Sequence, residues 1–371
     1  MKGRIILEIK LIDLKRQYDS IKDEILGSVS KVLESGSYIL GPNVSSFEQE
    51  FAEYIGTRHA VGVANGTDAL VMSLKALGIG PGDEVITSPF TFFASAECIS
   101  QVGAKPVFAD VCLDTYNIDP KEIEKKITDR TKAIIPVHIF GNPCNMDEIK
   151  DIAKRHNLYV IEDACQAVGA EYKGRKIGTF GDIACFSFFP TKNLGCYGDG
   201  GIVITNDKEI ADRIKLLRMH GSPKKYYHDM IGFNSRLDEI QAAILRVKLK
   251  FIDQWNQMRI ERAKWYDELL GNIVKTPKKE KDAKHVYHLY SVVTEKRDFL
   301  KEELEKRNIG CGIYYPLPLH LQNVYKDLGY NKGDFPNAEY LSENILSIPM
   351  FPELTDEELV YVAEAIKEIL K

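Results

Sequence analysis

The chain has 371 residues, 44% of them hydrophobic, and a formal net charge of −5. That length can bury a large core and suggests two domains, or one large domain with a smaller partner. The negative balance argues against an electrostatic nucleic-acid binder, which needs a basic face to neutralise phosphates.

The opening MKGRIILEIKLIDLKRQYDS has a short apolar run broken by Glu8 and Lys10, with no small-residue cleavage site after it, and is read as no signal peptide. No apolar stretch approaches the ~20 residues of a membrane-spanning helix, so the expectation is a cytoplasmic protein with no membrane partner. From about residue 55 to 205 the chain repeats an apolar β-rich run, a turn and an amphipathic helix, which predicts an α/β fold with a mainly parallel sheet. The strands expected are Ala60 to Val63, Glu84 to Thr87, Lys105 to Ala109, Ala133 to Pro136, Tyr159 to Glu162, Ala184 to Phe188 and Gly201 to Thr205. Helices fit at Thr67 to Leu77, Ala94 to Gln101 and Met146 to His156, and GIGPGDE and Gly103 stand where helices should stop.

A long helical stretch is expected from Ser235 to about Leu270, with Leu237, Ile240, Ala243, Ile244 and Val247 at helical spacing. It links a large domain over 12–250 to a small α+β domain over 251–371. The latter holds the strand-like HVYHLYSVV, a helix from Arg297 to Asn308, the aromatic YYPLPLHLQ and a closing helix from Thr355. Lys278, Lys279 and Lys281 read as a solvated loop. The seven cysteines (98, 112, 144, 165, 185, 196 and 311) stand singly, without zinc or redox-dithiol spacing, so no metal is expected. Cys196 could line a pocket beside Lys192, although packing explains it as well.

Three segments carry chemistry. In VIEDACQA, residues 160–167, an apolar strand delivers Asp163 and then Gln166 at its carboxyl end, where open α/β sheets bind ligands. Asp163 could simply cap a following helix. It could also hold the pyridine nitrogen of pyridoxal 5′-phosphate (PLP) protonated, making the ring an electron sink. In ACFSFFPTKNLGCYGDGG, residues 184–201, Lys192 lies between Pro190 and Gly195. A loop lysine is ordinarily surface decoration, but one held in a buried turn loses its charge and becomes a nucleophile and proton shuttle. In VANGTDALVMSLKAL, residues 63–77, Gly66 and Thr67 open a helix whose amino end is either a plain cap or a phosphate cradle. Ser187 could reach the same phosphate, and Phe92 of PFTFFAS could stack on a pyridine ring or pack in the core.

Together YILGPNVSSFEQEFAEY, NGTDAL, TFFAS, VIEDACQA, SFFPTKNLGCYGDGG and GFNSRLDEIQAAIL resemble the DegT/DnrJ/StrS-type sugar aminotransferases of the aspartate aminotransferase fold (fold type I PLP enzymes), from roughly Ile12 to the end. The resemblance implies PLP as cofactor, Lys192 as Schiff-base lysine, Asp163 at the pyridine nitrogen, Gln166 beside the phenolic oxygen and Phe92 on the ring. It implies Gly66, Thr67 and Ser187 at the phosphate, joined by Asn234 from a second subunit of a homodimer with shared active sites. Taken without it, Asn234 is a helix cap. His320, Tyr314, Tyr315 and Arg236 are the candidates for sugar or diphosphate contacts, with His320 equally readable as an ordinary surface or core histidine. His220 and Tyr226 to His228 could border the neighbouring subunit's pocket.

Many relatives carry His where Phe189 stands and Thr-Gly-Glu-Gly-Gly where Tyr197 to Gly201 stand. The version here looks like the branch that aminates C3 of the sugar. The resemblance thus implies transfer from L-glutamate to a dTDP-linked 3-oxo-6-deoxyhexose, with a UDP-linked 3-oxo sugar acid (2-acetamido-3-oxo-glucuronate) as second substrate class. A non-catalytic regulatory protein on the same fold is the third reading. Lys192 argues against the dehydrating relatives, which have histidine there.

Overall fold

The computed structural model describes residues 8–371; residues 1–7, where the signal-peptide reading begins, lie outside the described residues. Seven strands form the central sheet: β1 (His59–Val63), β2 (Glu84–Thr87), β3 (Lys105–Phe108), β4 (Thr131–Ile135), β5 (Tyr159–Asp163), β6 (Ile183–Ser187) and β7 (Gly201–Thr205). Their spatial order is β1-β7-β6-β5-β4-β2-β3. The pairs β2–β3, β2–β4, β4–β5 and β5–β6 are parallel. Strand β7 runs antiparallel to both β6 and β1.

Strand periodicity explains the two-sided core. Along β6, Ala184 and Phe186 join one hydrophobic cluster with Phe47, Phe51 and Phe188, while Ile183 and Cys185 join the opposite cluster with Leu70, Met72 and Ile99. A parallel sheet covered on both faces needs such near-continuous apolar runs. The helix expected at Thr67 is Gly66–Ala76, and those at Ala94–Gln101 and Met146–His156 stand as read. Gly103 ends its helix at φ +83°, a region that favours glycine.

The expected helix from Ser235 to Leu270 is two helices, Glu239–Leu249 and Ile252–Leu270. The Phe251 N–H donates to the Lys248 carbonyl three residues back, which tightens the last turn, and the Phe251 ring stacks on Trp255 at 5.6 Å. The segment HVYHLYSVV is a strand only over Tyr290–Val293. Before it, Val286 and His288 donate their N–H groups to the Gly141 and Phe140 carbonyls, so this stretch lies on the turn after β4.

Tyr290–Val293 pairs antiparallel with Ile345–Ile348, and helices Arg297–Lys306 and Asp356–Leu370 pack nearby. Thr355 and Glu358 form a capping box at the last helix. Ile9 is buried in this C-terminal cluster with Tyr266, Leu304 and Val362. Arg16 makes a two-pronged contact with Glu358 at 2.6 and 2.7 Å, so the first described residues are fastened to the last helix. A second aromatic cluster joins Phe90, Phe108 and Phe140 to Leu319, Phe335 and Leu341 across the carboxyl edge of the sheet. Among the described residues, no helix is long and apolar enough to cross a membrane.

Candidate active site

Asp163 is the last residue of β5, and Ser187 ends the adjacent parallel strand β6. Parallel pairing puts both carboxyl ends on one side of the sheet. No helix follows Asp163; its Oδ1 accepts from the Cys165 N–H at 3.2 Å, closing a short turn. Its Oδ2 accepts from Ser95 Oγ at 2.7 Å. Ser95 sits at the start of helix Ala94–Gln101, in TFFAS, where nothing in the local sequence marks it for the site. A buried carboxylate with two donors stays oriented, with one edge fixed by each.

The cradle is built from close approaches. A side chain at Gly66 would place its Cβ 2.8 Å from Ser187 Cβ and 2.9 Å from Cys165 Sγ, so only glycine lets the helix start meet both strand ends. Asn65 caps the helix through the Asp68 N–H at 2.8 Å. The amides of Gly66 and Thr67 belong to the first turn, whose N–H groups have no intrahelical acceptor. At Gly201 a Cβ would meet the Asn65 carbonyl oxygen at 2.3 Å, which accounts for the last glycine of GDGG.

Lys192 lies on the irregular loop between β6 and β7, its N–H donating to the Phe189 carbonyl at 2.8 Å. Burial lowers its ammonium from the usual lysine range, against attraction from Cys165 and Asp163. Cys165 links the two parts: it lies against the Gly66 position beside Ser187, and it and Asp163 are near enough for their charges to bear on Lys192. Phe92 is 56% exposed and packs against Tyr315, centroids 6.2 Å apart. Gln166 is buried; its Oε1 accepts from the Phe140 N–H at 2.6 Å and its Nε2 donates to Tyr315 Oη at 3.1 Å. Burial raises the Tyr315 phenol above the ordinary tyrosine range, so it stays protonated.

The structure thus brings together Gly66, Phe92, Asp163, Gln166, Ser187, Lys192 and Tyr315. Thr67 follows Gly66 in the same first turn and Tyr314 adjoins Tyr315, while His320, Arg236 and Asn234 are held by other contacts. His320 is 1% exposed, with Nε2 3.1 Å from Glu339 Oε1 and its ring against Phe335 at 4.7 Å. That is a buried structural histidine, the plainer of its two readings. Tyr314 packs on Gly312 and edge-on to Tyr315. Arg236 is half-buried with Nη1 3.6 Å from Met219 Sδ, and Asn234 is exposed, its backbone bridged to Met219. Its neighbour Ser235 accepts from the Ala64 N–H at 3.0 Å, two residues before the cradle glycine.

His288 also belongs to this region. It is buried, its Nδ1 has no hydrogen-bond partner, and burial together with the charges of Lys192 and Arg259 holds it neutral. Beneath the site, His138 Nδ1 accepts from the Cys144 N–H at 3.0 Å, which leaves its proton on Nε2, 3.2 Å from Glu162 Oε2.

Known proteins bear on this arrangement. The chain is 49% identical over 369 residues to a "Pleiotropic regulatory protein" of Geobacillus stearothermophilus, covering 98% of this chain and 99% of the other. It is 46% identical to a "UDP-N-acetyl-3-dehydro-alpha-D-glucosamine 3-aminotranferase" of Acidithiobacillus ferrooxidans, covering 98% of each chain. It is 44% identical to a "dTDP-3-amino-3,4,6-trideoxy-alpha-D-glucose transaminase" of Streptomyces venezuelae, covering 97% of this chain and 96% of the other. The crystal structure of S. venezuelae DesV in complex with a ketimine intermediate superposes with a TM-score of 0.96 at 44% identity, over 98% of this chain and 99% of that one. Residues 19–367 match the DegT/DnrJ/EryC1/StrS aminotransferase description, and the chain belongs to that family.

Proposed function

We propose that this PLP-dependent nucleotide-sugar aminotransferase moves the amino group of L-glutamate to the C3 ketone of a dTDP-linked 3-oxo-6-deoxyhexose. One observation carries the catalytic reading: Lys192, its charge disfavoured by burial, is near enough to feel the charge of Asp163, and Cys165 links it to the Gly66–Ser187 cradle. These residues fit a phosphorylated pyridine aldehyde. The first-turn N–H groups of Gly66 and Thr67, set against Ser187, suit a phosphate at the helix start, and Phe92 offers an open ring face.

When bound, PLP supplies an electron sink for the carbon that gains or loses nitrogen. With PLP bound, Lys192 would hold a neutral amine beside the aldehyde and would carry the proton to and from the substrate carbon. Asp163, fixed by Ser95 and Cys165, holds a proton at the pyridine nitrogen. Gln166 orients the ring's oxygen edge, and Gly66, Thr67 and Ser187 bind the phosphate. Tyr314, Tyr315 and Arg236 are the residues we assign to the sugar and diphosphate; His320 acts through packing.

A cytoplasmic homodimer belongs to the same reading. Tyr38, Ile39, Phe189, Tyr197 and Ile231 are exposed apolar side chains, 92% exposed in the case of Ile231, and a second subunit would cover such surface. In that assembly Asn234 would reach the partner's phosphate.

The C3 position is supported by the names of the S. venezuelae and A. ferrooxidans relatives, a 3-amino-sugar transaminase and a 3-aminotransferase. The second of these acts on a UDP sugar, which favours a second reading: a UDP-linked 3-oxo sugar, including the 2-acetamido-3-oxo-glucuronate class. Turnover with L-glutamate on matched dTDP and UDP 3-oxo sugars decides between them. Activity on the UDP compound alone rejects the first choice. The regulatory reading draws on the name of the G. stearothermophilus relative. It requires the cofactor colour to persist when glutamate is added, whereas a transaminase bleaches it.

A further inference from the structure

Lys248 lies on helix Glu239–Leu249 and is 1% exposed. Its Nζ donates to the Gly195 carbonyl at 2.5 Å and sits 4.9 Å from the centroid of the Tyr197 ring. Both partners belong to the loop that carries Lys192. Among the described residues no carboxylate forms an ion pair with this ammonium; Glu353 attracts it only at longer range. A methionine would fill the same space without dehydrating a charge, so packing alone does not account for a cation here.

The loop explains what the cation does. The Cys196 N–H donates to the Phe188 carbonyl and the Lys192 N–H to the Phe189 carbonyl, both at 2.8 Å. At Gly195 a Cβ would fall 2.4 Å from the Pro190 carbonyl oxygen, so the turn is too tight for any side chain and crowds several carbonyls together. The Lys248 ammonium donates to the carbonyl of Gly195 itself, at the tightest point of this turn. On the near side, Asn193 Nδ2 donates to Asn256 Oδ1 at 2.8 Å and to the Val286 carbonyl at 3.0 Å. Lys192 is thus followed by an anchored residue 193 and an anchored residue 195, with the anchors on two successive helices.

We propose that Lys248 is a positioning residue for Lys192: its charge-assisted hydrogen bond to the Gly195 carbonyl fixes the turn that aims the Lys192 amine at the Asp163 pocket. This rests on the assignment of Lys192 made above. The length and burial of Lys248, and its place opposite Gly195 and Tyr197, leave it no route to substrate except through that loop.

The test uses the full chain with Lys248→Met, Lys248→Gln and Lys248→Arg. Hydrogen exchange of the peptide spanning 188–200 is followed in the cofactor-free and cofactor-loaded protein, beside kcat, KM and borohydride labelling at Lys192. Lys248→Met is expected to fold with an unreduced melting temperature, to exchange that loop about tenfold faster and to lose about tenfold in kcat, the equivalent of one charge-assisted hydrogen bond. The glutamate KM should stay within about twofold, since substrate binding is not touched. Lys248→Arg should restore the slow exchange, and Lys248→Gln, a neutral donor, should lie between. Wild-type loop exchange and kcat in both Lys248→Met and Lys248→Gln would overturn the proposal. So would loss of folding in all three, which would make Lys248 a residue of the fold. Failure of Lys192 labelling in the wild type would instead sink the catalytic assignment, because the exchange readout needs no cofactor.

Discussion

Gln166 Nε2 donates to Tyr315 Oη at 3.1 Å, a bond that ties a site residue just beyond β5 to a segment 149 positions later. Tyr315 also packs edge-on to Phe90 and tilted to Phe92, so one side chain orients both the amide and the exposed ring. Tyr315→Phe keeps the ring and removes the acceptor. The expected cost is about 1 kcal/mol, or roughly a fivefold loss in kcat/KM, with cofactor affinity nearly unchanged. Steady-state kinetics with a cofactor titration checks it; a large loss of cofactor affinity would point to a different job.

Ser95 holds Asp163 from the side opposite its own turn. Ser95→Ala leaves a buried carboxylate oxygen without its donor, which should slow turnover by about 1.5–3 kcal/mol of lost support. Asp163→Asn should be far worse, on the order of 10²–10³-fold in kcat, because a neutral amide no longer holds the pyridine proton. Parallel kinetics of the two variants give the ranking, and equal effects would contradict it.

Gly66→Ala tests the cradle. Its methyl would press on Ser187 and Cys165, costing about 1–3 kcal/mol and weakening cofactor binding more than it lowers the melting temperature of the cofactor-free protein. Thermal shifts with and without added PLP separate the two effects.

The two buried lysines set a pH dependence. Burial lowers Lys248 to about 8 and also lowers Lys192, both from an unfolded value of 10.5. Between the folded and unfolded values the unfolded chain binds more protons, so for these groups stability rises with pH across that window. The groups facing Lys248 are Cys196 and Tyr197, both pushed up to about 12 and so neutral there, and Glu353, raised by burial. Denaturation of cofactor-free wild type and Lys248→Met between pH 7 and 10.5 should show a shallower rise in the variant. Kinetically the sign reverses: above about pH 8 the Gly195 contact loses its charge, and kcat should fall more in wild type than in Lys248→Met.

His320→Ala should act on stability. It empties a buried site against Phe335 and removes one partner of Glu339, which keeps the Gly333 N–H, costing about 2–4 kcal/mol while leaving the substrate KM close to wild type.

The sheet was legible because each strand is a short apolar run closed by turn chemistry, and every strand expected in the central sheet lies within two residues of the observed one, whereas HVYHLYSVV is a strand only over its last four residues. The site's carboxyl-end placement followed from the same pattern, since Asp163 and Ser187 end their runs. Less was legible where tertiary contacts decide. The break at Lys250–Phe251 keeps the helical period on both sides and shows only in the Lys248 carbonyl and the Phe251–Trp255 stack. Ser95 and His288 reach the site, and Lys248 the loop that carries Lys192, from distant segments, and nothing local marks a serine, histidine or lysine for such a place. The anchoring of Ile9 and Arg16 to the C-terminal cluster likewise depends on contacts more than 290 residues apart.

Borohydride reduction of the cofactor-loaded protein, followed by peptide mass mapping, tests the central assignment most directly. The arrangement described here predicts one modified peptide, carrying the cofactor on Lys192. Label on Lys248 or any other lysine, with Lys192 unmodified, would contradict it.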